Sequence, residues 1–256
     1  MSRKRKDCRI HEKERSIRKR CITINSPDYT PVRAPLDKNT NLSLKQLLKL
    51  LHSEDSVVYF YVVTSVGYQN GRLVQKGSAP NFEGGLITLC TCKHKMRTCL
   101  TSNEWPGFWI AGLSSNTLFS GTRALVFLMK VGLAFSSFED LWFSRTLPAE
   151  TKSAKLASKH KFGDLYKPKE HISGNPFDPV NYFPPIEEHV HADPQLWQND
   201  IAYMTKEGKT PALLGGDPAL SFAWDNPILQ TETEKLRNHK KLALPEFLGL
   251  FRTPTK

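Results

Sequence analysis

The chain has no apolar run approaching the roughly 18 to 20 residues that a membrane-crossing helix needs, so no membrane association is expected. Its five cysteines, Cys8, Cys21, Cys90, Cys92 and Cys99, are too few and too clustered for a disulfide framework. The first residues lack the apolar middle of a secretory signal, and Asp7, Glu12 and Glu14 speak against an organellar transit peptide. A reduced, cytoplasmic setting is expected, or a nuclear one in a host with a nucleus. Apolar residues are also scarce, at 39%, while 17 prolines favour irregular structure, so a folded core with polar extensions fits better than a uniform globule. There is no phosphate-cradling glycine loop, no Ser-His-Asp pattern and no internal repeat.

What is abundant is positive charge, and it is unevenly placed. Of the net +11, residues 1 to 20 ("MSRKRKDCRIHEKERSIRKR") carry +7, from ten Lys or Arg against three acids. Such an arm attracts polyanions by counterion release, a strong but sequence-blind and salt-sensitive effect. Equally, it reads as a solvated, disordered tail that serves solubility. We place a disordered leader over residues 1–41 and an amphipathic helix within 42–55. Ser43 with Gln46 forms a capping box, and Leu44, Leu47, Leu48 and Leu51 share one face. That face packs on the core or, through residues 43–52, holds a protein partner.

The core domain is expected over 56–230. "VVYFYVVTSV" (57–66) is a strand by its β-branched and aromatic content. A loop of about twenty residues follows, long enough to suggest function, and then strands at "LITLCTC" (86–92), "FWIAGL" (108–113) and "RALVFLMKVGLAF" (123–135). The last is apolar on both alternating faces and should be covered on both sides. Ser136 with Glu139 signals a second capped helix, "PAETKSAKLASKHKFGDLY" a basic helix, and "TPALLGGDPALSFAWDNPIL" (210–229) one or two closing strands. A charged helix over "TETEKLRNHKKL" and a tail fill 231–256. The fold class is α+β, with a β-rich, small barrel-like core, short helices and a disordered basic arm.

Three cysteines and a histidine fall within ten positions, Cys90 to Cys99. On a continuous strand Cys90, Cys92 and His94 would share a face, with Cys99 closing a zinc set. The tight C-x2-C pairs of such sites are absent, so no metal and no cofactor is expected. Core packing and a reactive thiol near Lys93, Lys95 and Arg97 both remain open. His189 and His191 in "EEHVHAD" read as loop residues or as a weak metal pair. Tyr68, Phe82, Trp105, Phe108 and Trp109 lie near loop–strand junctions, where exposed aromatics beside cations would stack bases.

Taken in order, "VVYFYVV", "APNFEGGLITLCTCK", "WIAG", "RALVFLMKV", "FEDLW" and "FGDLY" resemble the second nucleotide-modification-associated domain family over roughly residues 57–230. The family-like positions are Pro80, Asn81, Gly84, Gly85, Cys92, Lys93, Arg97, Trp109, Gly112, Arg123, Phe138, Trp142, Phe162, Gly163, Asp164 and Tyr166. The chain departs from the family pattern at "PGFW", which lacks the usual aspartate, and in residues 167–197, which have no counterpart to its histidine-bearing segment. The family is linked with hypermodified bases in DNA, and the strand pattern is similar at fold level to EVE- and PUA-like modified-base readers. The resemblance implies a module that binds or senses modified bases in DNA or RNA. In that module Asn81, Phe82, Lys93, Arg97, Trp109, Arg123, Phe162, Gly163, Asp164 and Tyr166 would form the nucleic-acid site. The alternative is an enzyme of base or nucleotide modification, with Cys92 as nucleophile and Asp164 as general base.

Overall fold

The computed structural model describes residues 30–52, 54–156, 164–184, 197–202, 208–231 and 236–251. The basic arm, Cys8, Cys21, Phe162, Gly163 and the histidines of "EEHVHAD" lie outside the described residues. The fold is α+β: a mixed six-stranded sheet, a separate hairpin and a few short helices. In chain order the strands are β1 (Val57–Val63), β2 (Val66–Gln69), β3 (Arg72–Gln75), β4 (Thr88–Leu89), β5 (Trp109–Ser114), β6 (Ala124–Phe135), β7 (Leu213–Leu229) and β8 (His239–Ala243). The helices are α1 (Leu44–Leu50), α2 (His94–Arg97), α3 (Phe138–Phe143), α4 (Ala149–Leu156), α5 (Gln198–Ala202) and α6 (Leu244–Leu248).

The sheet order is β4-β7-β6-β5-β1-β8, with β1 parallel to β5 and every other neighbouring pair antiparallel. Alternation along the strands sorts side chains to two faces. Val58, Phe60, Trp109, Ala111, Leu128 and Phe222 lie on one face, covered by Leu44 and Leu47 of α1 and by Phe247 and Leu248 of α6. Tyr59, Tyr61, Ile110, Phe127 and Met129 lie on the other, with Phe82, Ile87 and Trp105. The first six residues of β6 are buried on both sides, as its unbroken apolar run requires. Gly112 fits where β5 meets β6, because a Cβ there would come within 2.3 Å of Phe127 and 2.5 Å of Val63.

Several expectations need correction. The long loop after β1 contains the β2–β3 hairpin, turned by Asn70 (φ 49°) and Gly71 (φ 78°), the Asn-Gly pair that suits a tight hairpin turn. Residues 30–41 are packed rather than part of a free leader: Val32 and Ala34 are buried, and Asn39 donates to Ala219 O at 3.0 Å and Ser221 O at 3.2 Å. The segment read as a C-terminal charged helix supplies β8, whose pairing with β1 satisfies backbone groups at the sheet edge, and the helix begins only at Leu244. The capping box of α1 forms with the expected partners, Ser43 and Gln46. That of α3 does not: Ser137 is the cap, accepting from Asp140 N at 3.0 Å, and Glu139 instead accepts from Ile172 N at 2.8 Å.

Candidate functional site

Cys90 and Cys92 do not share a strand face. Strand β4 stops at Leu89 because a buried carboxylate takes over the next backbone donors. Asp164 accepts from Cys90 N at 3.0 Å, from Thr91 N at 3.0 Å and from the Thr91 hydroxyl at 2.9 Å. The chain then bends, leaving Cys90 packed among Leu86, Phe138 and Tyr166 while Cys92 packs against the cluster of Tyr61 and Trp105. Among the described residues no group of three His, Cys, Asp or Glu is placed to hold a metal.

Burial dominates the chemistry of this corner. Asp164 is fully buried, which raises its carboxyl against the lowering effects of Thr88, Lys155 and the Cys90 amide. Burial, reinforced by Asp164 and Asp200, pushes the Cys92 thiol up to about 11, so the group is a protonated thiol near neutral pH and a poor nucleophile. Lys155, also fully buried, donates to Asn81 O at 2.8 Å, to Asn81 Oδ1 at 2.9 Å and to Leu86 O. Burial pulls its ammonium down to about 7, with Asp164 acting in the opposite sense. Asp200 accepts from the Tyr166 hydroxyl at 2.9 Å and lies 3.9 Å from His94 Nε2.

The residues expected to face nucleic acid are mostly interior. Arg97 is fully buried and donates to Cys92 O at 2.7 Å and Ala212 O at 2.6 Å, tying α2 to the approach to β7. Arg123 is buried and donates to Ser114 O at 3.1 Å. Neither guanidinium sits at the surface to take a phosphate of a polymer backbone. Phe82 packs edge-on to Phe127 at 5.9 Å, whereas Trp109 stacks on Phe222 at 6.4 Å on the opposite face of the sheet. The two rings cannot sandwich one base. Asn81 and Tyr166 are buried. Lys93 is half-buried, in a left-handed backbone conformation (φ 59°), with Nζ 4.9 Å from the centre of the Tyr61 ring.

Exposed aromatics are found instead on a second surface, where α3, α4 and residues 167–183 meet. Phe143 (40% exposed) stacks on His171 with ring centres 3.8 Å apart, and Phe183 is 46% exposed. Lys167 Nζ lies 5.5 Å from the Phe183 ring and 5.8 Å from that of half-buried Trp142, and Lys152 Nζ is 5.9 Å from the same indole. Glu139 lies 3.9 Å from His171, and Asp140, Glu150, Glu170 and Asp178 are exposed acids of the same elements. Phe138, at the other end of α3, packs edge-on to Tyr166 at 5.0 Å, which joins this surface to the buried corner.

The sequence reading missed Tyr61, Lys155, Asp200 and the surface around Phe143, His171 and Phe183. Spacing gave no signal for the first three, which long-range packing alone brings to the corner. The "FEDLWF" aromatics beside a lysine-rich segment were a usable signal for the surface. Comparison with models of known families, with curated proteins and with solved structures returns no match.

Proposed function

We propose that this protein is a nucleic-acid-associated module that binds exposed bases and senses modified ones, in DNA or in RNA. The observation that carries the reading is the aromatic and basic surface of Trp142, Phe143, His171 and Phe183 with Lys152 and Lys167. Rings exposed beside lysines offer bases a stacking platform and backbone phosphates a cation. The net charge of +11 supports a polyanionic partner, and the arm would add affinity without selectivity. The resemblance to the nucleotide-modification-associated family supports the link to modified bases. A barrel-like, PUA- or EVE-like arrangement belongs to the same proposal. It is supported by the β2–β3 hairpin, which lies against β7 through the Arg72–Asp225 ion pair of 3.0 Å. Enzymatic chemistry at Cys92 gains no support, because burial keeps the thiol protonated.

The test is fluorescence anisotropy at fixed salt, using the full chain and single-stranded oligonucleotides with and without modified bases. The double variant Phe143→Ala, Phe183→Ala removes two exposed rings at little risk to the core. Binding should fall at least tenfold, since stacking contributes about 1–3 kcal/mol per base. Unchanged binding would remove this surface from the proposal. Equal affinity of the native chain for modified and unmodified strands would remove the sensing role.

A further inference from the structure

We propose that Tyr61 and Arg97 form the floor of a separate oxyanion site, suited to the phosphate of a mononucleotide or to inorganic phosphate. Both side chains are at least nine-tenths buried, with 1% of Tyr61 and none of Arg97 exposed. The Tyr61 hydroxyl and Arg97 Nη2 nonetheless have no hydrogen-bond partner among the described residues. Native interiors rarely leave such groups unpaired, because each forfeits its hydration without compensation. Contacts connect the two: Lys93 reaches over the Tyr61 ring at 4.9 Å, and the adjacent Cys92 carbonyl accepts from Arg97 Nε at 2.7 Å. Tyr61 also lies within electrostatic range of Cys92, Asp164 and Arg97.

The chemistry of the unpaired atoms selects the ligand. A guanidinium can only donate, and a phenol donates readily, so their common partner must be an acceptor. Arg97 and Lys93 favour an anionic acceptor over a neutral carbonyl, against the opposing charges of Asp164 and Asp200. The carboxylates of the corner do not compete for these donors. Asp164 is occupied by Cys90 N, Thr91 N and the Thr91 hydroxyl, and Asp200 by the Tyr166 hydroxyl. Cys92, Lys93 and His94 are only half-buried and mark the side from which a small anion would enter. This inference does not depend on the aromatic surface.

Tyr61→Phe tests it, because the substitution removes one oxygen and keeps the ring and its packing. Inorganic phosphate, a deoxynucleoside monophosphate and the matching nucleoside would each be titrated into the full chain by calorimetry, with unfolding temperatures measured in parallel. The native protein should bind phosphate and the monophosphate saturably and the nucleoside not at all. Tyr61→Phe should bind both anions at least tenfold more weakly, unfold at no lower temperature without ligand, and bind oligonucleotides as the native chain does. Because the variant retains the basic arm, the difference isolates this site from arm electrostatics. The proposal is overturned by equal phosphate binding in the two proteins or by nucleoside binding as tight as nucleotide binding. A destabilised Tyr61→Phe would also overturn it, since the hydroxyl would then serve the fold.

Discussion

On one face of the sheet, Val58, Phe60, Trp109, Leu128 and Phe222 meet Leu44 and Leu47 of α1 and Phe247 of α6 in a cluster of hydrophobic side chains. On the other face, at the end carrying β4, the core gives way to Asp164, Lys155 and Arg97, all fully buried, with Asp200 and the thiols of Cys90 and Cys92 around them. The first arrangement needs only hydrophobic burial, roughly 1.5–3 kcal/mol for each fully buried Leu or Phe. The second replaces hydration with individually aimed hydrogen bonds, and swapping such ions for apolar residues is often neutral or stabilising. In some proteins such buried ions fix geometry rather than add stability. Here the ions end β4, tie α2 to the approach to β7, and leave the Tyr61 hydroxyl and one Arg97 nitrogen without a partner among the described residues.

The largest test of that contrast is Asp164→Ala. It strands the amides of Cys90 and Thr91 and leaves the Lys155 ammonium without its nearby carboxylate. Urea unfolding should show a loss of about 3–5 kcal/mol, the range for breaking a buried charge network by removing one member. A loss under about 1 kcal/mol would mean that the carboxylate is dispensable to the fold. On the apolar face, Leu47→Ala removes a fully buried side chain that anchors α1. It should cost about 2–4 kcal/mol, by lost transfer energy and the cavity left behind. The two should also differ in kind. The Leu47→Ala loss should hold nearly constant across pH, whereas the Asp164→Ala loss should grow in acid, because the raised Asp164 carboxyl takes up its proton in the native state before the unfolded chain does and the native protein alone gains that stability.

The apolar face was legible in the sequence and the polar corner was not. The i, i+3, i+4 spacing of Leu44, Leu47, Leu48 and Leu51 and the Ser43–Gln46 box identify α1, and β-branched and aromatic runs identify β1, β5 and β6. These are local signals, and the structure obeys them except at Leu48, which is 45% exposed while Leu44, Leu47 and Leu51 are buried. The Asn70–Gly71 turn was equally local and was passed over. By contrast, nothing near Thr88 tells that β4 will end after two residues, because the cause is a carboxylate 74 positions away. Likewise Lys155 looks like one lysine among several in a basic segment until tertiary contacts place it beneath Asn81 and Leu86. Asp164 and Arg97 were read as contacts to a base edge and a phosphate, and both are fully buried. Burial is what a motif does not report.

The smallest expected effect separates the corner from the rest of the molecule by pH. Burial, aided by the Arg97 charge, pulls His94 down to about 4, while Asp200 acts in the opposite sense. The unfolded chain therefore takes up a proton on His94 near pH 6.5, whereas the native state resists until about 4. Between those values the unfolded state binds more protons, so stability rises with pH. The His94 contribution is complete above about 6.5 and is lost as pH falls towards 4. Because His94 is partly exposed, solvent screening limits the span to about 1–2 kcal/mol. His94→Gln, measured against the native chain by urea unfolding at several pH values, should flatten the slope between 4 and 6.5 and leave stability near pH 7.5 almost unchanged. Other groups also titrate in acid, among them Asp164 with its raised carboxyl and Glu54 with its lowered one, but they are common to both proteins and cancel in the difference. An unaltered slope would mean that His94 is as hydrated as in the unfolded chain. The open side of the corner would then be wetter than its packing indicates, and selection of an anion there would rest on Arg97 and Tyr61 alone.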